Sequence, residues 1–164
     1  MGLLEPHERH RRGAGAAGLR RGARKPRGER PKALVVHSLG QALAALRAAG
    51  AARVPLVLMS GRGAAGYAGP AWFAGVMAEA RARHPEVAVA AVLDCAEAPG
   101  RALAALRLGW KTLRLGGGKA ARARVAAIAK RMDARLDDTD YAVLDLGAAA
   151  DAERAAREFL GSSP

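Results

Sequence analysis

From Ala33 onward, short apolar runs rich in branched residues alternate with longer stretches in which apolar residues recur at helical spacing. The runs that read as strands are residues 33–38, 55–60, 87–94, 112–115 and 141–146. The helical patterns between and after them are residues 39–50, 69–85, 98–110, 119–136 and 151–161. In the first of these, Leu39, Leu43 and Leu46 fall on one helical face, which is typical of an amphipathic helix packed on a core.

This strict alternation predicts an α/β fold whose strands pair in parallel through right-handed helical crossovers. Two architectures satisfy it: a partial (βα)8 barrel of about five βα units, or an open doubly wound sheet. The pattern does not choose between them. Both place functional groups at the carboxyl ends of the strands, which directs attention to the residues that follow each apolar run.

Composition narrows the class of protein. Half of the 164 residues are apolar (51 %), enough for a core, and no run approaches the 18 apolar residues of a membrane span. No apolar segment follows the charged N-terminus, so we expect no secretory signal and no membrane association. The single cysteine, Cys95, cannot form an internal disulfide and fits a reducing cytoplasm.

Charge is concentrated at the N-terminus. Residues 1–32 hold ten Lys and Arg against three Glu, a net charge of +7 out of +12 for the chain. This segment shows no apolar periodicity, so we expect a disordered basic tail before a folded domain at 33–164. Clustered arginines can bind nucleic acid or another anionic surface, but the tail has no aromatic residue to stack on bases. A simple solvated extension is the alternative.

The loop after the second strand carries Gly61, Gly63 and Gly66 in the spacing of a dinucleotide-binding turn. That turn requires a helix to begin within the glycines, so that its N-terminus meets the pyrophosphate. Pro70 would interrupt such a helix, whereas it suits the first position of a helix that begins there. The pattern therefore predicts a loop of about ten residues and no dinucleotide site.

Two other loops carry candidate chemistry. In residues 115–122, glycines precede Lys119 at a predicted helix start, where backbone amides and the ammonium can hold a phosphate. In residues 92–99, Asp94 ends a strand and can serve as a general acid or base, and Cys95 can ligate zinc. The alternatives are a flexible turn in the first loop and a small buried cysteine in the second.

Taken together, these loops resemble the class II, zinc-dependent fructose-bisphosphate aldolases from about Ala33 to about Gly147. The segment "HSLGQALAALRAAGAARVPLVLMSGRGAAGYAG" is similar to the family's first helix, second strand and following loop. The segment "HPEVAVAAVLDCAEAPGRALAALRLGWKTLRLGGG" is similar to its third and fourth strands, and "YAVLDLGA" to its fifth. The resemblance favours the partial barrel over the doubly wound sheet.

The resemblance implies a role for several positions. Asp94 matches the catalytic acid or base, and Ser60 matches a serine near the substrate. Cys95 stands where the family has a zinc-binding histidine, and Asp145 stands near its acidic metal ligand. The glycine loops then imply a substrate site that includes Gly61, Gly63, Gly117 and Lys119.

Several functional residues of the family have no counterpart in this sequence. The family's two further histidine ligands and its main phosphate loop lie beyond the fifth strand, where this sequence offers one more helix. A catalytic zinc needs three protein ligands, and one chain supplies only Cys95 and Asp145. We therefore expect a non-catalytic, aldolase-like domain without zinc that binds a sugar phosphate or a protein partner.

Two further expectations concern partners. Five strands leave an open sheet edge, which a second copy or another protein is expected to cover. The rival enzyme hypothesis is a zinc-dependent lyase completed by oligomerisation, with Asp94 as acid and base and zinc on Cys95 and Asp145.

Overall fold

The computed structural model describes residues 30–161. Most of the predicted tail, residues 1–29, lies outside the described residues. The strands are β1 Lys32–Val36, β2 Leu56–Ser60, β3 Val89–Asp94, β4 Thr112–Arg114, β5 Arg135–Leu136 and β6 Ala142–Asp145. The helices are α1 Leu39–Ala52, α2 Ala64–Tyr67, α3 Pro70–Arg83, α4 Pro99–Arg107, α5 Lys119–Arg131 and α6 Ala152–Gly161, with a 3-10 turn at Leu146–Ala148.

All strand pairs are parallel, and the sheet order is β5-β4-β3-β2-β1-β6. Alternate residues of the strands, such as Leu34, Leu58 and Leu93, join one buried core with residues from α1, α3, α4, α5 and α6. These five helices therefore cover a single face of the sheet. A doubly wound sheet carries helices on both faces, so the arrangement is that of a partial (βα)8 barrel. The α/β prediction is confirmed.

The connection between the two edge strands shows that the sheet is curved. In a flat sheet of six strands, β5 and β6 would lie about 24 Å apart, and parallel strands would also require the chain to return to the opposite end. Only residues 137–141 join these strands, a segment that reaches about 20 Å when fully extended. The two edges must therefore approach each other, as they do in a barrel.

The face of the sheet away from the helices has a much smaller core. Ala33, Met59 and Val92 are buried there, with Val35 and Val57 packed against them. Tyr141, from the segment that joins the edges, also packs on this cluster. The connecting segment thus fills part of the concave side that a complete barrel would fill with its own strands.

The prediction of five strands was one short, because the predicted helix 119–136 ends early. Helix α5 stops at Arg131, and Asp133 takes a left-handed φ of 52° that turns the chain. Arg135 and Leu136 then pair with β4 as the sixth strand. A two-residue strand carries no periodic signal, so its partner strand decides its conformation.

The loop after β2 ends where it was predicted to end, but it is not irregular along its whole length. Pro70 is the first residue of α3, as predicted. The preceding loop is not irregular throughout, because α2 forms a single helical turn at Ala64–Tyr67. Gly63 precedes that turn at a φ of 72°, a conformation in which glycine is favoured.

Within residues 30–161, no helix is long and apolar enough to cross a membrane.

Candidate functional site

A cavity of about 400 Å³ opens at the carboxyl ends of β3 and β4. Its lining combines three cationic side chains, three acidic side chains and the loops that follow the two strands: Arg62, Asp94, Ala96, Glu97, Arg114, Leu115, Gly116, Arg122 and Asp138. This is the edge of the sheet at which both candidate architectures place ligands. We refer to it as the arginine cavity.

Asp94, the predicted catalytic residue, ends β3 and lies in register with Arg114 of β4. Its Oδ1 accepts hydrogen bonds from the backbone amides of Gly63 at 2.8 Å and Ala96 at 2.7 Å. One carboxylate oxygen therefore holds together the loops that follow β2 and β3. Because Asp94 also lines the cavity, it is both an organiser of the site and a candidate ligand contact.

Ser60, a predicted substrate contact, lies buried at the end of β2. The residue is 2 % exposed, and its Oγ accepts a hydrogen bond from the amide of Asp94 at 2.9 Å. The same hydroxyl donates to the carbonyl of Gly61 at 3.3 Å. Both of its hydrogen-bonding roles are thus used within the backbone of the site.

The three arginines of the cavity differ in their partners. Arg122 pairs with Asp138, and Arg62 lies 3.7 Å from Glu97 in a pair that is largely exposed. Arg114 is half-buried and donates to the carbonyl of Thr139 at 3.3 Å. Within residues 30–161, it forms no ion pair with a carboxylate. Of the three arginines, Arg114 is therefore the one whose guanidinium is not held by a carboxylate of the described residues.

The predicted phosphate loop lies at the rim of the cavity. The amide of Gly116 donates to the carbonyl of Ala96 at 2.7 Å, which ties this loop to the loop after β3. Gly117 has a φ of 89° and lies against Glu97. Lys119 is exposed at the start of α5 and lines a separate surface groove beside Arg122 and Lys130.

Cys95 points to the core beneath the helices rather than into the cavity. It is 2 % exposed and joins the large buried cluster. Burial, followed by the negative charge of Asp94, raises the pKa of its thiol to about 12. The side chain is therefore a neutral thiol at neutral pH, whereas zinc binds the thiolate.

The two predicted zinc ligands lie on opposite faces of the sheet. Asp145 is in register with Val35, whose side chain belongs to the cluster on the concave face. Cys95 belongs to the core on the helical face. These residues do not fit a shared zinc ion, and among the described residues no group of three or more His, Cys, Asp or Glu could hold a metal ion.

Asp145 instead contacts His37, a residue to which sequence reasoning assigned no role. Nε2 of His37 lies 2.8 Å from Oδ1 of Asp145, and the amide of Gly147 donates to the same oxygen at 2.8 Å. Both residues lie at the carboxyl ends of adjacent strands, β1 and β6. The sequence places each of them at a strand end, but it contains no signal that β6 would pair with β1.

Glycines flank the imidazole of His37 on two sides. A Cβ built on Gly61 would lie 2.7 Å from Nδ1 of His37 and 2.6 Å from the hydroxyl of Tyr67. A Cβ built on Gly147 would lie 2.9 Å from Cδ2 of the same ring. Real side chains do not approach this closely, so the ring position depends on glycine at both sites.

Comparison with solved structures supports an aldolase-like α/β fold. A crystal structure of a candidate fructose-1,6-biphosphate aldolase from Coccidioides immitis superposes with a TM-score of 0.54 at 20 % sequence identity. The match covers 66 % of this chain and 45 % of the aldolase chain, so this protein spans less than half of that structure. At this identity the likeness concerns the fold alone.

No protein-family model matches the sequence, and no curated protein matches it either.

Proposed function

We propose that this chain is an aldolase-like βα domain that binds a small hydroxylated anion of the sugar-phosphate class and does not catalyse zinc-dependent aldol cleavage. The observation that carries the proposal is the arginine cavity at the carboxyl ends of the strands. The half-buried Arg114, which has no carboxylate partner among the described residues, supplies the anion-binding charge.

The mixed charge of the cavity suits a ligand with two kinds of polar group. An arginine fork binds phosphate or carboxylate oxygens through charge-assisted hydrogen bonds. Asp94 and Glu97 accept hydrogen bonds, which is what the hydroxyls of a sugar offer. Inorganic phosphate offers fewer hydroxyl groups to these acidic side chains than a sugar phosphate does, so the lining favours the sugar phosphate.

The chemistry of the donors argues against a zinc-dependent reaction in one chain. Cys95 is a buried thiol, and Asp145 is engaged by His37 on the other face of the sheet. The rival hypothesis, a lyase completed by a second subunit, would need new ligands from the partner. It predicts aldol cleavage of fructose 1,6-bisphosphate that is lost in Asp94→Asn.

Calorimetric titration of the full chain with fructose 1,6-bisphosphate, fructose and inorganic phosphate tests the binding proposal. We expect the sugar phosphate to bind more tightly than either of its parts. Arg114→Gln should weaken its affinity at least about tenfold, because a charged hydrogen bond contributes about 1.5–3 kcal/mol. Arg124→Gln is the matched control, since it removes the same charge from an exposed position on α5 that does not line the cavity.

Three results would contradict the proposal. The first is an absence of binding to the unmodified protein at millimolar concentration. The second is an equal loss of affinity in both arginine variants, which would indicate attraction by net charge alone. The third is aldol cleavage above the uncatalysed rate, which would favour the lyase hypothesis.

A partner for the sheet edges stays a prediction. Among the described strands, β6 has no partner on its outer side, and Val143 of β6, which is in register with Ala33 on the concave face, is 49 % exposed. We propose that a second copy covers β6 at this exposed valine. Light scattering coupled to size exclusion would detect a dimer that Val143→Lys dissociates, and a monomer at high concentration would remove the idea.

A further inference from the structure

A basic groove of about 510 Å³ runs between helix α5 and the edge strand β5. Four cationic side chains line it: Lys119, Arg122, Lys130 and Arg135. Asp138 is the acidic residue of the lining, and three alanines and Leu136 complete it. Four cations against one carboxylate leave the groove a net charge of +3. We refer to it as the α5 groove.

Helical geometry sets two of these cations in line. Lys119 and Lys130 stand in the first and last turns of α5, and the interval between them makes about three turns. Both residues therefore lie on the same side of the helix, with their Cα atoms about 16 Å apart. Ala123 and Ala126 lie between them and also line the groove, so small side chains form its floor.

Three of the four cations are not neutralised by an acidic partner. Arg122 pairs with Asp138. Lys119, Lys130 and Arg135 form no ion pair and no side-chain hydrogen bond with any residue of the range 30–161. All three are exposed to solvent. Their charges are therefore available to a ligand in the groove.

The length of the groove favours a chain of negative charges over one small anion. The backbone of nucleic acid repeats a negative charge at every nucleotide, and positively charged grooves follow this backbone in proteins that bind single strands. An acidic peptide fits less well. A peptide that docks on a sheet edge binds through main-chain hydrogen bonds, and β5 offers only two residues for them.

We propose that the α5 groove binds the phosphate backbone of single-stranded nucleic acid. Lys119, Lys130 and Arg135 contact the phosphates, and the alanine floor lets the strand lie close to the helix. No aromatic side chain of the described residues lines the groove, so the protein does not stack bases there and binds without sequence preference. The site does not depend on the sugar-phosphate proposal, because Lys130 and Arg135 do not line the arginine cavity.

Fluorescence anisotropy of the full chain with a labelled oligothymidylate, measured over a range of salt concentrations, tests the proposal. The test variant combines Lys130→Gln with Arg135→Gln. Each phosphate contact with a single strand contributes about 0.7 to the slope of log affinity against log salt. The double variant should therefore lower the magnitude of the slope by about 1.4, which corresponds to an affinity about 25-fold weaker at about 0.1 M salt.

Helix α5 also supplies the matched control, Arg124→Gln combined with Arg131→Gln. This variant removes two positive charges from exposed positions that do not line the groove. Arg131 follows Lys130 directly, but it lies about 100° further around the helix axis. We expect an affinity within about twofold of the unmodified chain, since charges away from the bound strand are screened. The basic segment 1–29 is present in all three proteins, so the comparison isolates the groove.

Two further probes test the chemistry of the ligand. Oligodeoxyadenylate of the same length should bind about as tightly as oligothymidylate, because only the backbone is contacted. A labelled oligoglutamate peptide of the same net charge should bind more weakly than either.

Four results would overturn the proposal. The first is an absence of binding to the unmodified chain at about 0.1 M salt. The second is an equal loss of affinity in the two double variants, which would indicate attraction by net charge alone. The third is an unchanged salt slope in the test variant. The fourth is tighter binding of oligoglutamate than of either oligonucleotide, which would identify an acidic protein as the partner.

Discussion

The reactivity of Cys95 tests whether its sulfur can serve as a zinc ligand. The thiol is 2 % exposed, and its pKa is raised from 9.0 to about 12. Only the thiolate reacts with iodoacetamide or binds zinc. At any pH below 9, the rise in pKa lowers the thiolate population about a thousandfold, since each pH unit corresponds to a factor of ten.

The assay is the rate of alkylation of Cys95 at pH 8, followed by mass spectrometry. We expect the folded chain to react at least about a thousandfold more slowly than the chain in urea, because limited access to the buried sulfur adds to the low thiolate population. A double variant, Cys95→Ala with Ala127→Cys, moves the single thiol to an exposed position on α5. This control should react at nearly the same rate folded and unfolded.

Rapid alkylation of folded Cys95 would refute the reasoning. It would mean that the sulfur is accessible and ionised, and it would support the zinc-ligand hypothesis. Slow alkylation that zinc does not change further would agree with a cysteine that only fills the core.

Two other predictions concern stability. Phe73 is fully buried and stacks on Trp110 with ring centroids 5.4 Å apart, so Phe73→Ala should lower the free energy of unfolding by about 3–5 kcal/mol in urea titrations. The exposed Leu108→Ala should change it by less than about 0.5 kcal/mol, and equal effects would contradict the assigned core. The hydrogen bond from Arg47 lowers the pKa of Glu153. The ionised carboxylate therefore stabilises the fold at pH values above its ordinary pKa, and this stabilisation is lost as the pH falls through the lowered pKa. Glu153→Gln should therefore flatten the acid side of a stability–pH profile, whereas Glu158→Gln, at an exposed position of the same helix, should not; parallel profiles would disprove the assignment.

Local sequence signals were sufficient for most elements of the fold. The strands that end at Ser60 and Asp94 coincide with apolar runs rich in branched residues. Helix α3 begins at Pro70 because proline suits the first helical position. These features depend on side-chain periodicity and backbone restrictions, which neighbouring residues determine. The alternation of strands and helices then fixed the parallel sheet, because parallel strands need a crossover.

Other features depended on contacts that the sequence does not display. The two-residue strand β5 exists because β4 offers it hydrogen bonds, so periodicity could not reveal it. The sequence alone also did not show on which face of the sheet the side chains of Cys95 and Asp145 lie. A side chain's face follows from strand register, and register is set by packing across the whole sheet.

The sequence by itself determined that this chain forms parallel βα units with polar groups at the strand ends. Only the tertiary structure decided which of those groups meet. Pairing of β6 with β1 joined His37 to Asp145, and pairing of β3 with β4 set Asp94 beside Arg114. The physical reason is that periodicity is a local property, whereas strand order depends on long-range packing that no local segment encodes.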